Sequence, residues 1–188
     1  MARMLRERPL LFMMKACFYF YLKIRNLFYS YAFSTRGLII GKNISLVGSK
    51  NIKIGRDVIL GNQTWLDAIG DGKIFIGDNV SLSQNVHVAA AQQVLIDEGC
   101  LIGSDVLITD HDHAFGGEFA AILPKYRPLI IKGQTRLGKN NWLSDNVKIL
   151  SGVTLGDNVI VAANSVVKES FPDNVLIGGI PAKILKHL

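Results

Sequence analysis

The chain has 188 residues, enough for one domain with a sizeable core. Hydrophobic residues make up 49% and charged residues 19%, too apolar a balance for a disordered chain. The two cysteines, Cys17 and Cys100, exclude a disulfide framework and fit reduced thiols in a cytoplasmic protein.

The net charge of +6 comes from one segment. Residues 1–36 contain Arg3, Arg6, Arg8, Lys15, Lys23, Arg25 and Arg36 against Glu7, and the rest of the chain is neutral. A general nucleic-acid-binding face is therefore not indicated, and no nucleic-acid partner is expected. The same segment holds nine of the sixteen aromatic residues. Pro9 suits the first turn of a helix, where its missing N–H costs nothing. Beyond it, Lys15, Tyr19, Lys23, Asn26 and Ser30 recur at spacings that put them on one helical stripe. The spacing predicts an amphipathic helix within 1–36, with a narrow polar face and a broad apolar one. Lys15 interrupts an apolar run already too short to span a bilayer. No small-residue cleavage site follows, as a signal peptide requires. Two mutually compatible readings remain. One is peripheral contact with the inner face of the cytoplasmic membrane, through an in-plane helix edged by basic residues. The other is packing across the end of the following domain or against a sister subunit.

From residue 37 to 188 a second unit is predicted, with a period of six. Ile131, Leu137, Leu143, Ile149, Leu155, Val161 and Val167 fall at successive sixth positions. Upstream, Ile54, Leu60 and Leu66, then Ile76, Leu82, Val88 and Val94, keep the period, and Ile96, Ile102 and Ile108 continue it after a shift of two residues. Four residues after the aliphatic position stands a small or β-branched side chain, as at Val80, Val106, Val147, Val153, Val159 and Ser165. Six residues fit a short strand plus a turn. Three such units close one triangular coil, and stacked coils turn every repeated aliphatic side chain inward. Gly, Asn and Asp in the tetrads GDNV, GRDV, GSDV and GKNN supply the corner chemistry. The expected architecture is all-β, a parallel β-helix with one long protruding loop at 109–130.

This pattern over residues 40–185 resembles the hexapeptide-repeat acyltransferases, among them the sugar, maltose and galactoside types and the surface-polysaccharide O-acetyltransferases. The resemblance implies a left-handed β-helix of about six or seven coils. It also implies a homotrimer with active sites between subunits, and acetyl-CoA as acyl donor. No metal is expected.

The one long break in the repeat, TDHDHAFGGEFAAILPKYRPLI, carries His111 and His113. A long excursion from a rigid scaffold is usually functional. Acetyl transfer to a hydroxyl needs a base near neutral pH, donors for the developing oxyanion, and a groove that holds both substrates. A gap-free match of CLIGSDVLITDHDH to the galactoside pattern places that family's base at His113, with His111 on the same face of an extended chain as the alternative. Asp110 and Asp112 are candidates to orient a ring or meet the acceptor. The family's acceptor-binding Asn falls at Ser83 here, a departure that leaves Asn85, two residues on, as the candidate. His87 reads as an outward side chain or a groove contact. Cys100, inside the repeat, reads as core. By resemblance the C-terminal coils form the coenzyme wall, through Trp142, Ser144, Ala163 (by its backbone), Ser165, Lys168 and Lys183. The segment SVVKESFP departs from the family's SVVTKxxP, moving the lysine one place early and putting Glu169 in its position.

The activity expected from the resemblance is O-acetylation of a sugar hydroxyl in a cell-surface polysaccharide (O-antigen, capsule or exopolysaccharide) or its lipid-linked precursor. Alternatives are an N-acetyltransferase acting on a nucleotide-linked amino sugar, a zinc carbonic anhydrase using His87, His111 and His113, and a non-catalytic scaffold.

Overall fold

A computed structural model of the chain describes residues 8–188. Arg3, Arg6 and Glu7 of the basic segment lie outside the described residues. The fold is a parallel β-solenoid of about seven turns, preceded by one helix, α1 (Pro9–Ala32). Three sheets form the faces of a prism. The first is eight-stranded, running from Ile39–Ile40 through Leu101–Ile102 and Trp142–Leu143 to Val175–Gly179, and is closed by the antiparallel strand Ala182–His187. The second is six-stranded and includes Trp65–Ala68, His87–Ala90, Leu107–Thr109 and Lys148–Ile149. The third is five-stranded, from Ile52–Ile54 to Thr154–Leu155.

Register explains the six-residue period. Leu60, Leu82, Ile102, Leu143 and Val161 pair in one column of the first face, while Leu66, Val88, Ile108 and Ile149 do so on the second. On the third, Ile54, Ile76, Ile96, Leu137 and Leu155 align. These residues are buried, as are Val80, Val106, Val147, Val153 and Val159 at the corners. Because each strand hydrogen-bonds to the coils before and after it, the backbone is satisfied without long strands.

The corners work because small and amide-bearing residues recur there. Asn43, Asn79, Asn85, Asn140, Asn146, Asn158, Asn164 and Asn174 all adopt positive φ, a region their short polar side chains tolerate. Gly61 is required for a different reason: a Cβ there would stand 2.1 Å from the Ser83 carbonyl oxygen of the next coil.

Ile131 departs from the expected core. It is 41% exposed and belongs to the strand returning from the long excursion, so the periodic position there falls outside the prism. The excursion is a two-stranded antiparallel arm, in which His111 pairs with Ile131, Asp112 with Ile130 and His113 with Leu129.

The helix meets the first coil through part of its polar stripe. Ser30, on the predicted polar stripe, is buried, and the Asn26 side chain accepts the Ile40 N–H at 3.3 Å. Arg25 donates to the Ile40 carbonyl. The C-terminal end of the polar stripe is thus the side that grips the prism, because that contact offers unpaired backbone groups at the first coil. Leu10, Phe12, Met13, Met14, Phe20, Leu27 and Phe28 are left exposed.

Candidate active site

The second face is flanked by two corners that carry candidate site residues. The corner before it carries Ser83 and Asn85, and the corner after it carries the arm with His111 and His113. Ser83 is half-buried and Asn85 exposed. Asn85 already donates to Asp105 Oδ1 at 2.6 Å while holding its positive φ, so it serves the corner as well as any ligand.

Asp110, expected among the acceptor contacts, has no exposed surface. Its carboxylate accepts the backbone N–H groups of Ala91 (2.8 Å), Gln92 (2.7 Å) and Gln93 (2.5 Å). Its Oδ1 also lies 3.0 Å from His111 Nδ1. It anchors the base of the arm to the preceding coil and cannot touch an acceptor. Burial alone would raise this carboxyl, but the bonds from His111 and the three N–H groups together hold it below the ordinary carboxylate range.

His111 sits between Asp110 and Thr109, whose Oγ1 is 3.2 Å from the same Nδ1. With the proton on Nδ1, toward the carboxylate, Nε2 keeps its lone pair. The His111 side chain is 12% exposed. His113, two residues along the same extended strand, is exposed, and its side chain makes no hydrogen bond or ion pair among the described residues. Asp112 is half-buried and pairs with Lys132 at 3.4 Å. Beyond the histidines the arm turns through Gly116 and Gly117, both at positive φ, and exposes Phe115, Leu123 and Tyr126. Beside it lies a groove of about 680 Å³ lined by Asp71, Lys73, Gln92, Gln93, Ile131 and Lys132.

His87 faces outward on the second face and stacks on Trp65, with ring centroids 4.0 Å apart and planes 5° from parallel. Its Nε2 is buried without a partner, and burial lowers its pKa. Trp65 carries no motif of its own; the sequence signal is that Trp65 and His87 each stand one residue before a repeat aliphatic position, Leu66 and Val88, and so meet on successive coils.

Of the coenzyme candidates, Trp142 is 49% exposed on the first face, and Ser144 and Ala163 occupy the corner that follows it. Lys183 lies on the closing strand, paired with Gly178 of that face. These four belong to one edge of the C-terminal coils. Ser165 does not join them. It is fully buried in the interior row of Val106 and Val147; its hydroxyl donates to the Ala162 carbonyl at 2.6 Å and accepts the Gly179 N–H at 3.1 Å. Its role is to hold the end of the Val175–Gly179 strand. Lys168 follows the second face at a different corner, 3.7 Å from Glu169.

Cys100 is buried, its Sγ donates to the Gly138 carbonyl at 3.1 Å, and burial pushes its thiol up to about 11. A thiol so placed is a poor nucleophile. Among the described residues of the chain no group of three His, Cys, Asp or Glu side chains is placed to hold a metal ion.

Residues 134–169 match the bacterial transferase hexapeptide (six repeats) model. The chain is 41% identical over 143 residues to the putative lipopolysaccharide biosynthesis O-acetyl transferase WbbJ of Escherichia coli (strain K12), covering 72% of this chain and 71% of that protein. It is 29% identical over 151 residues to the putative colanic acid biosynthesis acetyltransferase WcaF of the same organism, covering 80% and 70%. The hexapeptide-repeat acetyltransferase VCA0836 of Vibrio cholerae O1 biovar eltor, solved with acetyl coenzyme A, superposes with a TM-score of 0.57 at 30% identity, covering 69% of this chain and 70% of that one. The chain belongs to the bacterial hexapeptide-repeat transferase family.

Proposed function

We propose that this acetyltransferase moves an acetyl group from acetyl-CoA to a sugar hydroxyl of a surface polysaccharide or its lipid-linked precursor, in one direct step. The observation that carries the reading is the arm: the one large interruption of the prism presents two imidazoles on one extended strand, beside a face flanked by the Ser83–Asn85 corner. The O-acetyl transferase named among the relatives, at 41% identity, supports the hydroxyl acceptor over an amine.

His113 is the general base. It removes the hydroxyl proton as that oxygen attacks the thioester carbonyl, and coenzyme A leaves as the thiol after proton return. Its exposure lets it reach a substrate held outside its own prism. His111, fixed by Asp110, supports the strand. A second assignment, with His111 as base, is favoured by its pairing with Asp110, which would set its tautomer. Trp142, Ser144, Ala163 and Lys183 form the coenzyme wall, and the basic side chains meet its phosphates. The site is completed in a homotrimer. The exposed apolar arm tip, Phe115, Leu123 and Tyr126, supports a neighbouring copy as the surface it covers. The direct test is incubation with radiolabelled acetyl-CoA and a panel of surface-glycan precursors and amino sugars. Label in an alkali-labile ester is expected, and label confined to amides would replace this reading with N-acetylation.

The exposed apolar side of α1 makes peripheral contact with an anionic bilayer. No helix among the described residues is long and apolar enough to cross a membrane. Residues 8–36 carry Arg8, Lys15, Lys23, Arg25 and Arg36 and no acidic residue, which complements anionic headgroups. Deleting residues 1–33 is expected to abolish co-sedimentation with phosphatidylglycerol vesicles. Unchanged co-sedimentation would end the membrane reading.

A further inference from the structure

The proposed reaction needs a surface that orients the sugar, and the histidine arm by itself offers none. The second face does. Its outward positions alternate with buried ones, so Trp65 and Asp67 point out while Leu66 and Ala68 point in. Trp65 pairs with Ser45 on one side and with His87 on the other. His87 covers one face of the indole. The residue on the opposite side, Ser45, is small and exposed, and Trp65 itself is 42% exposed. Asp67, in the next outward row, pairs with Ala89, and Ala89 with Thr109, whose hydroxyl touches His111. Trp65 and Asp67 face His87 and Ala89 on the next coil, and Thr109 beside His111 lies one coil further, so these groups share one face of the prism.

We propose that Trp65, backed by His87 and flanked by Asp67, is the platform on which a pyranose ring of the acceptor stacks. The inference rests on the sugar-acceptor reading above and names the residues that select the acceptor. An indole presents an electron-rich face to the C–H groups of a sugar, while a carboxylate accepts hydrogen bonds from its hydroxyls. His87 stiffens the indole. Coils lie about 4.8 Å apart, so a sugar on the open side of Trp65 sits roughly three coils from the strand that launches the arm. The platform therefore holds a residue further along the glycan than the one being acetylated, and the preferred acceptor is an oligosaccharide rather than a single sugar. Trp65 is a binding residue in this scheme, and His87 a positioning residue.

The experiment is steady-state kinetics of full-length wild-type protein, Trp65→Ala and Trp65→Phe, with a glycan precursor found by the acceptor panel and with its monosaccharide. Melting curves verify that each variant is folded. Trp65→Ala is expected to raise the acceptor KM by about tenfold with little change in kcat or in the KM for acetyl-CoA, and Trp65→Phe to recover part of the loss. The monosaccharide is expected to respond less than the oligosaccharide. His87→Ala is expected to move the acceptor KM in the same direction. If wild type transfers to the glycan and Trp65→Ala leaves its KM unchanged, the platform is refuted while the acetyltransfer reading stands. A KM change for acetyl-CoA alone makes Trp65 a coenzyme contact and also refutes it. If wild type esterifies no sugar at all, both proposals fall together.

Discussion

Replacing His113 by alanine is expected to slow acetyl transfer by about 10²–10⁴-fold, roughly 3–5 kcal/mol of barrier, with the melting temperature unchanged. The two halves of that expectation have separate causes. The rate falls because a sugar hydroxyl attacks a thioester poorly until a base takes its proton. Stability holds because the His113 side chain is exposed and makes no hydrogen bond or ion pair among the described residues. Single-turnover rates with saturating acetyl-CoA measure the chemical step, and calorimetry checks the fold. His111→Ala is the paired control. If His113 is the base, His111→Ala loses less rate and more stability, because it strips a hydrogen bond from buried Asp110. Wild-type turnover in His113→Ala together with a large loss in His111→Ala would transfer the role to His111.

The second large effect is expected at Asp110. Asp110→Ala removes the acceptor of three backbone N–H groups and the partner of His111 at once. Unpaired buried donors each cost about 1–3 kcal/mol, and a broken buried network of this size costs about 3–5 kcal/mol. The variant should therefore melt well below wild type and show increased proteolysis within residues 111–131, which lose their anchor to the Ala91–Gln93 segment. Asp110→Asn keeps the shape but replaces one acceptor oxygen by a donor that faces N–H groups, so it is expected to recover only part of the loss. The pH dependence has a definite sign. Because the folded state holds this carboxyl below its ordinary value, its stabilisation is complete above the ordinary carboxylate pKa and fades as pH falls through the lowered one. Wild type should lose stability over that acidic window, and Asp110→Ala should show a shallower loss there. Denaturant midpoints across the acid range measure it; parallel acid limbs would mean that Asp110 is not held as described.

How much of this was legible in the sequence depends on the kind of interaction. The in-or-out assignment of Leu60, Leu82, Leu143, Ile149 and Leu155 followed from a period of six alone, since one coil repeats the demand of the next. Ser165 was already visible in the interior row, yet the resemblance also put it in the coenzyme wall. Burial decides for the interior, where its hydroxyl holds the end of the Val175–Gly179 strand. Ile131 kept the period but lies on the arm, because periodicity cannot mark where the chain has left the prism. The polar stripe of α1 was legible as a stripe, but not that Asn26 and Ser30 would turn toward the first coil.

The sequence by itself determined the prism, its triangular corners, and the single place where a long arm leaves it, because these arise from a hydrophobic and turn pattern repeated locally many times. Only the tertiary structure decided that Asp110 is an anchor, that His87 stacks on Trp65, and that Trp142 and Lys168 stand at different edges. Those contacts join residues a full coil or more apart, and the insertions within each coil set which side chains meet, so no local pattern carries that register.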